Sequence, residues 1–196
     1  MAKEISKIQI VAFSTNEEGL VPNDFFTTYL ENNNHKIGKK VDGAIGFTLT
    51  LPNETAPTKI IICSILNLQQ EYLGIKDVNC YILFVDLETE ESKEKLKEIL
   101  DYAEKYCEMG KKLYVLGILK DETDDKKARK IKKKDVINPL DDMEDLDYEY
   151  KEFNLNNTKE MNDIIKEIFA FCSKESFKEK IMKDKVKNDG GSCILF

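Results

Sequence analysis

The sequence predicts a single α/β domain: a mostly parallel, six-stranded sheet with one antiparallel edge strand and helices on both faces. Three observations lead there. Six apolar or β-branched runs are spread along the chain between residues 5 and 155. Helix-periodic stretches alternate with several of them, and such alternation favours parallel strands joined by crossover helices. Two neighbouring runs are separated by a short segment containing Pro52, Asn53 and Pro57, which predicts a hairpin and therefore one antiparallel strand.

Ile5 to Phe13 (Ile-Ser-Lys-Ile-Gln-Ile-Val-Ala-Phe) is a β-branched run suited to a buried strand. Phe25, Phe26, Tyr29 and Leu30 then recur at helical spacing behind Asn23 and Asp24, both good N-cap residues. Ala44 to Leu51 alternates and Lys59 to Leu66 is strongly apolar, giving the two arms of the hairpin. Cys80 to Val85 leads through Asp86 into a helix from about Ser92, whose inner face carries Leu96, Ile99, Leu100, Ala103 and Cys107. Lys112 to Leu119 is another buried strand, and Tyr150 to Leu155 a shorter one. The final helix starts near Thr158 and places Met161, Ile164, Ile165, Ile168, Phe169 and Cys172 on one face. Past about Phe177 the periodicity is lost. The expected organisation is a domain over residues 1–176 and a flexible, lysine-containing tail over 177–196.

Composition narrows the function. The chain is 41% hydrophobic, enough for a core, and its net charge of −7 argues against nucleic-acid binding, since a phosphate backbone rewards basic surfaces. No stretch approaches the roughly 20 apolar residues of a membrane helix. The N-terminus lacks a signal-peptide core, and Ala2 stands where myristoylation needs glycine. Five cysteines without a CxxC pair and a single histidine, His35 in a polar loop, make a zinc site unexpected. Cys63, Cys80, Cys107 and Cys172 read as buried thiols of a protein in a reducing compartment. The basic run Lys126 to Lys134 has the composition of a lipid-headgroup or nuclear-import segment, yet the acidic stretch Asp141 to Glu149 follows it. A solvated insert held by its own charge pairs is the simpler reading.

The last four residues, Cys193-Ile194-Leu195-Phe196, form a cysteine, two aliphatic residues and a terminal residue, the pattern read by protein prenyltransferases. Phe196 favours geranylgeranyl, and Gly190-Gly191-Ser192 lets Cys193 enter an enzyme cleft extended. One lipid chain anchors marginally, so lysines between Lys174 and Lys187, diluted by Glu175, Glu179 and Asp184, would assist only weakly. Lipidation at Cys193 predicts a protein held reversibly on the cytoplasmic face of a membrane.

The order of elements, closed by a prenylation box, resembles the Ras superfamily of small GTPases, with likeness to its Rab and Rho branches, from about residue 5 to 173 plus the tail. Tyr81-Ile-Leu-Phe-Val-Asp-Leu resembles the fourth strand of that family, and Ala44-Ile45-Gly46-Phe47 the end of switch I. Gln70-Glu71-Tyr72 resembles the Gln-Glu-aromatic of switch II, and Gly117 to Asp121 lies where the guanine-specificity motif belongs. The resemblance implies a Ras-like fold and a switch-like surface around Val41 to Thr50 and Leu66 to Ile75 for a protein partner. It also implies a prenyltransferase and a prenyl-binding chaperone as partners of the tail. Gln70 matches the water-positioning glutamine, and Asp121 the guanine-binding aspartate.

The chemistry-bearing positions depart from the family. A phosphate loop needs inward-facing backbone N–H groups and a lysine. Here Ser14 to Asp24 contains one glycine, Gly19, together with Pro22, Glu17, Glu18 and Asp24. There is no Lys or Arg from Ile8 to His35. Ala44 stands at the switch I threonine, Leu66 to Gln69 lack the Asp-x-x-Gly, and Ile118-Leu119-Lys120-Asp121 keeps only the Asp of Asn-Lys-x-Asp. A hydrogen bond to a charged group contributes about 1.5–3 kcal/mol, and about 1.4 kcal/mol is tenfold in affinity. Losing several should weaken nucleotide binding by many powers of ten. The expectation is a membrane-tethered pseudo-GTPase in signalling or vesicle and cytoskeletal traffic, without cofactor. The alternative is an active, divergent Rab- or Rho-like GTPase that binds GTP or GDP with magnesium and hydrolyses GTP. A structural subunit using the fold as an assembly surface is a third reading.

Overall fold

The computed structural model describes residues 6–16, 22–35, 37–41, 44–50, 57–65, 77–106, 110–120, 129–144 and 146–189, with backbone alone at 6, 37–41, 44, 106 and 175–189. Its elements are β1 (Ser6–Ser14), α1 (Pro22–Asn32), β2 (Ile37–Val41), β3 (Ala44–Leu49), β4 (Thr58–Ile65), β5 (Cys80–Asp86), α2 (Ser92–Tyr106), β6 (Leu113–Leu119), α3 (Lys133–Asp141), β7 (Tyr148–Asn154) and α4 (Thr158–Asp189). The strands form one sheet in the order β2-β3-β4-β1-β5-β6-β7. Strands β4, β1, β5, β6 and β7 are parallel neighbours, and β3 runs antiparallel to both β4 and β2.

The six expected strands are present, with the β3–β4 hairpin in register from Ala44↔Cys63 to Leu49↔Thr58. The difference lies at the edge. Ile37–Val41 adds a strand beyond β3, so the antiparallel strand sits one place in from the border. This segment is short and contains Gly38, Lys39 and Lys40, which hide a strand from pattern reading. Its pairing with β3 shifts register between Ile37 and Lys40.

Period-2 alternation divides the core. Ile8, Ile10 and Ala12 of β1, Ile82 and Phe84 of β5, and Leu116 and Ile118 of β6 join the cluster under α1 and α4. Val11 and Phe13, Leu83 and Val85, and Leu113 and Val115 join the cluster under α2 and α3. With both faces covered, β5 and β6 are buried at every position, which is why their sequences read as continuous apolar runs.

Helix α1 packs Phe25 against Phe84 and Phe26, ring centroids 4.9 and 5.3 Å apart. It begins at Pro22, ahead of the expected cap residues; proline's fixed φ suits the first turn of a helix. Asn23 is therefore inside the helix and buried, its Oδ1 accepting from Ser64 Oγ at 2.9 Å. Helix α2 buries Leu96, Ile99, Leu100 and Tyr102 with Ala103 half-buried, whereas Cys107 lies outside the described residues.

Helix α3 occupies part of the segment read as a solvated basic insert. Val136 and Leu140, one turn apart, are buried, and the Lys132 N–H donates to Asp135 Oδ2 at 3.1 Å at its start. Arg129 pairs with Glu152, and Lys133 lies over the Tyr150 ring at 5.6 Å. Both partners stand on β7, beyond the acidic stretch expected to neutralise the run. Helix α4 buries Met161, Ile164, Ile165, Ile168, Phe169 and Cys172, the face read from the sequence. Its backbone stays helical to Asp189, past Phe177, where the periodicity predicted a flexible tail. Among the described residues no helix is long and apolar enough to cross a membrane.

Candidate functional site

In open α/β sheets ligands gather at the carboxyl ends of the strands, where the strand order reverses. Here the order reverses at β1, with β4 on one side and β5 on the other. The ends of β1, β5, β6 and β7 are joined there by a polar network. Apolar strands end in it because the last sheet positions must satisfy backbone groups that no further strand covers.

Asp86, the last residue of β5, is at its centre and fully buried. Its Oδ2 accepts from Asn16 Nδ2 at 2.6 Å and from Lys120 Nζ at 2.7 Å. Its Oδ1 accepts from the Glu88 N–H at 3.0 Å. Burial pushes this carboxyl up, but the hydrogen bonds from Lys120, Asn16 and the Glu88 N–H outweigh it and hold the group below its ordinary range. Asp86 is thus an ionised carboxylate at neutral pH, engaged by three donors. It is unsuited to exchange protons with a substrate.

The neighbours extend the network. The Thr15 hydroxyl accepts from the Asp86 N–H at 3.0 Å and donates to Ser92 Oγ at 2.9 Å, linking β1 to the start of α2. The Lys120 N–H donates to Glu88 Oε1 at 2.8 Å, and the Lys120 carbonyl accepts from Asn156 Nδ2 at 2.8 Å. Lys120 is held from both sides, its ammonium on Asp86 and its backbone on Glu88 and Asn156.

Beside this network, an open depression of about 640 Å³ lies at the ends of β6 and β7 and the start of α4. Glu152, Asn154, Asn156, Asn157, Thr158 and Glu160 line it with Leu119 and Phe153. Among the described residues the lining holds two carboxylates and no basic side chain, a surface that disfavours an anionic ligand. A more apolar cavity of about 440 Å³, between Leu100 of α2 and Met143 and Leu146 after α3, extends to Tyr81 and Leu113 at the opposite ends of the strands. It shares no residue with the polar network. Among the described residues no group of three or more His, Cys, Asp or Glu is arranged to hold a metal ion.

Of the residues singled out from the sequence, Gln70, Asp121 and Cys193 all lie outside the described residues, as does the segment 66–75 of the switch-like surface. The structure instead brings together Asn16, Asp86, Glu88 and Lys120, none of which the sequence reading marked as functional. One signal was available: an acid closing a wholly apolar strand must find a counter-charge, and Lys120 ends the neighbouring strand. Comparison of the chain with protein-family models and with curated proteins gives no match in either.

Proposed function

We propose that the chain is a Ras-like pseudo-GTPase: a binding module without a nucleotide cycle, carried on the cytoplasmic face of a membrane by a prenyl group on Cys193. The order of its elements and the placing of β3 antiparallel within an otherwise parallel array support the Ras-like part of this reading. The observation that carries the absence of a nucleotide cycle is the closure of Lys120 onto Asp86 at 2.7 Å, with Asn16 on the same oxygen. A phosphate at this sheet edge would need a cation or a ring of amides facing it. Lys120, a cation at this sheet edge, is already neutralised by an internal carboxylate, and drawing it away would leave Asp86 buried without its counter-charge.

The surface available to a partner includes β3, with Thr48 and Thr50 exposed. Without a γ-phosphate to order the neighbouring loops, that surface is set by packing or by the partner itself. Titration of the full-length protein with fluorescent GTP and GDP in magnesium tests the reading. The expected result is no saturable binding in the micromolar range; sub-micromolar, magnesium-dependent binding would replace the pseudo-GTPase with a working switch.

A further inference from the structure

We propose that Cys80 and Cys172 form a redox modification site, a thiol pair that closes to a disulfide and fastens the last helix to the centre of the sheet. Cys80 opens β5, beside the central strand β1, and Cys172 lies on α4. Their sulfurs are 3.3 Å apart across a separation of 92 residues, and neither side chain is exposed. Both are thiols in this structure. A disulfide requires about 2.05 Å between sulfurs, so closure calls for a movement of little more than about 1 Å. The pair belongs to the cluster that holds Ile82, Tyr114, Ile168 and Phe169, packing that keeps both sulfurs facing one another.

Access comes from local opening of α4 around Cys172. Cys172 is the last buried position of α4 among residues whose side chains are described; Ser173 is half-buried and Lys174 exposed. Local opening at that boundary releases Cys172 without disturbing the strands. Burial and the contact with Cys172 push the Cys80 thiol well up, so in the closed structure the pair resists reaction and opening sets its rate.

The oxidant is a hydroperoxide. One sulfur, as thiolate, attacks the peroxide oxygen and breaks the O–O bond, giving a sulfenic acid and, with hydrogen peroxide, water. The second sulfur displaces the hydroxyl of the sulfenic acid as a second water and forms the S–S bond. Two thiols and one hydrogen peroxide yield one disulfide and two waters; the sulfurs lose two electrons and the peroxide gains them. A dithiol reverses the step by exchange. Cys63, half-buried and packed on the opposite face of the sheet, has no place in this pair and serves as the internal control.

The test is peptide mapping of the full-length protein after hydrogen peroxide, alkylation and tryptic digestion without reductant. The expected product joins peptides 77–93 and 167–174, two hydrogens lighter than their sum, and separates on addition of dithiothreitol. Oxidised wild type should melt about 5 °C or more above the reduced form, since the bond closes a long loop, and Cys172→Ala should lose that gain. Should Cys172→Ala fail to fold, the wild-type peptide map decides alone. Recovery of both cysteines alkylated under conditions that oxidise Cys63 would overturn the proposal. So would linkage of either one to another cysteine, or a joined pair with unchanged melting temperature.

Discussion

Two carboxylates, Asp86 and Glu149, are held below their ordinary range by different neighbours. Asp86 reaches that state against burial, through three donors. Glu149 on β7 is lowered first by the Lys112 ammonium at 2.7 Å; burial opposes, Lys151 at 3.1 Å adds, and the group settles at about 2 against an ordinary 4.5. A carboxyl depressed in the folded state stabilises it fully above its unfolded pKa and loses that contribution as pH falls through the folded value. Stability should therefore decline as pH drops from about 4.5 towards about 2, and Glu149→Gln should decline less. At neutral pH the same substitution should cost about 1 kcal/mol or less, because this ion pair is partly solvated. Urea midpoints at pH 7 and pH 3 measure both effects; parallel losses in parent and variant would show that Glu149 contributes nothing. Neither carboxylate stood out among 37 acidic residues, since a pKa depends on neighbours that the chain brings from a distance.

At the level of the element, legibility followed periodicity. Helix α4 was readable because six apolar residues repeat on one face, whereas α3 offers two, Val136 and Leu140, among lysines and around Pro139. Strand β6 was readable as an apolar run, but its glycine was read as a motif position. In the structure Gly117 is a packing position: a Cβ there would lie 2.8 Å from Tyr150 Oη, 3.0 Å from Leu87 Cδ1 and 3.1 Å from Glu152 Cγ. The Tyr150 hydroxyl donates to Glu152, so it cannot yield without giving up that bond. Gly117→Ala should destabilise the protein by about 1–3 kcal/mol. Adding Tyr150→Phe should return part of the loss, because it removes the nearest atom. Chemical denaturation of the single and double variants checks this; a Gly117→Ala protein as stable as the parent would mean that β7 can move away freely.

Across the whole molecule, two clusters cover opposite faces of one sheet, and at the carboxyl ends of its strands Asn16, Asp86, Glu88 and Lys120 satisfy one another. Such a network holds the strand ends together. Helical backbone to Asp189 runs well beyond Cys172; the 17 residue steps from one to the other would span about 26 Å as a straight helix. Cys193→Ser should move the expressed protein from the membrane pellet to the soluble fraction while leaving its melting temperature unchanged. Equal partition of the variant and the parent would remove the lipid anchor from the functional reading.

The α/β class, the hairpin, the buried strands and the inner faces of α1, α2 and α4 can be read along the chain, because burial imposes periods of two and 3.6 that survive in a linear string. The meetings of Lys120 with Asp86, of Cys80 with Cys172 and of Gly117 with Tyr150 arise on folding alone. Each of these pairs joins residues more than thirty positions apart, and no local pattern records which distant partners a folded sheet will bring within hydrogen-bond or van der Waals reach.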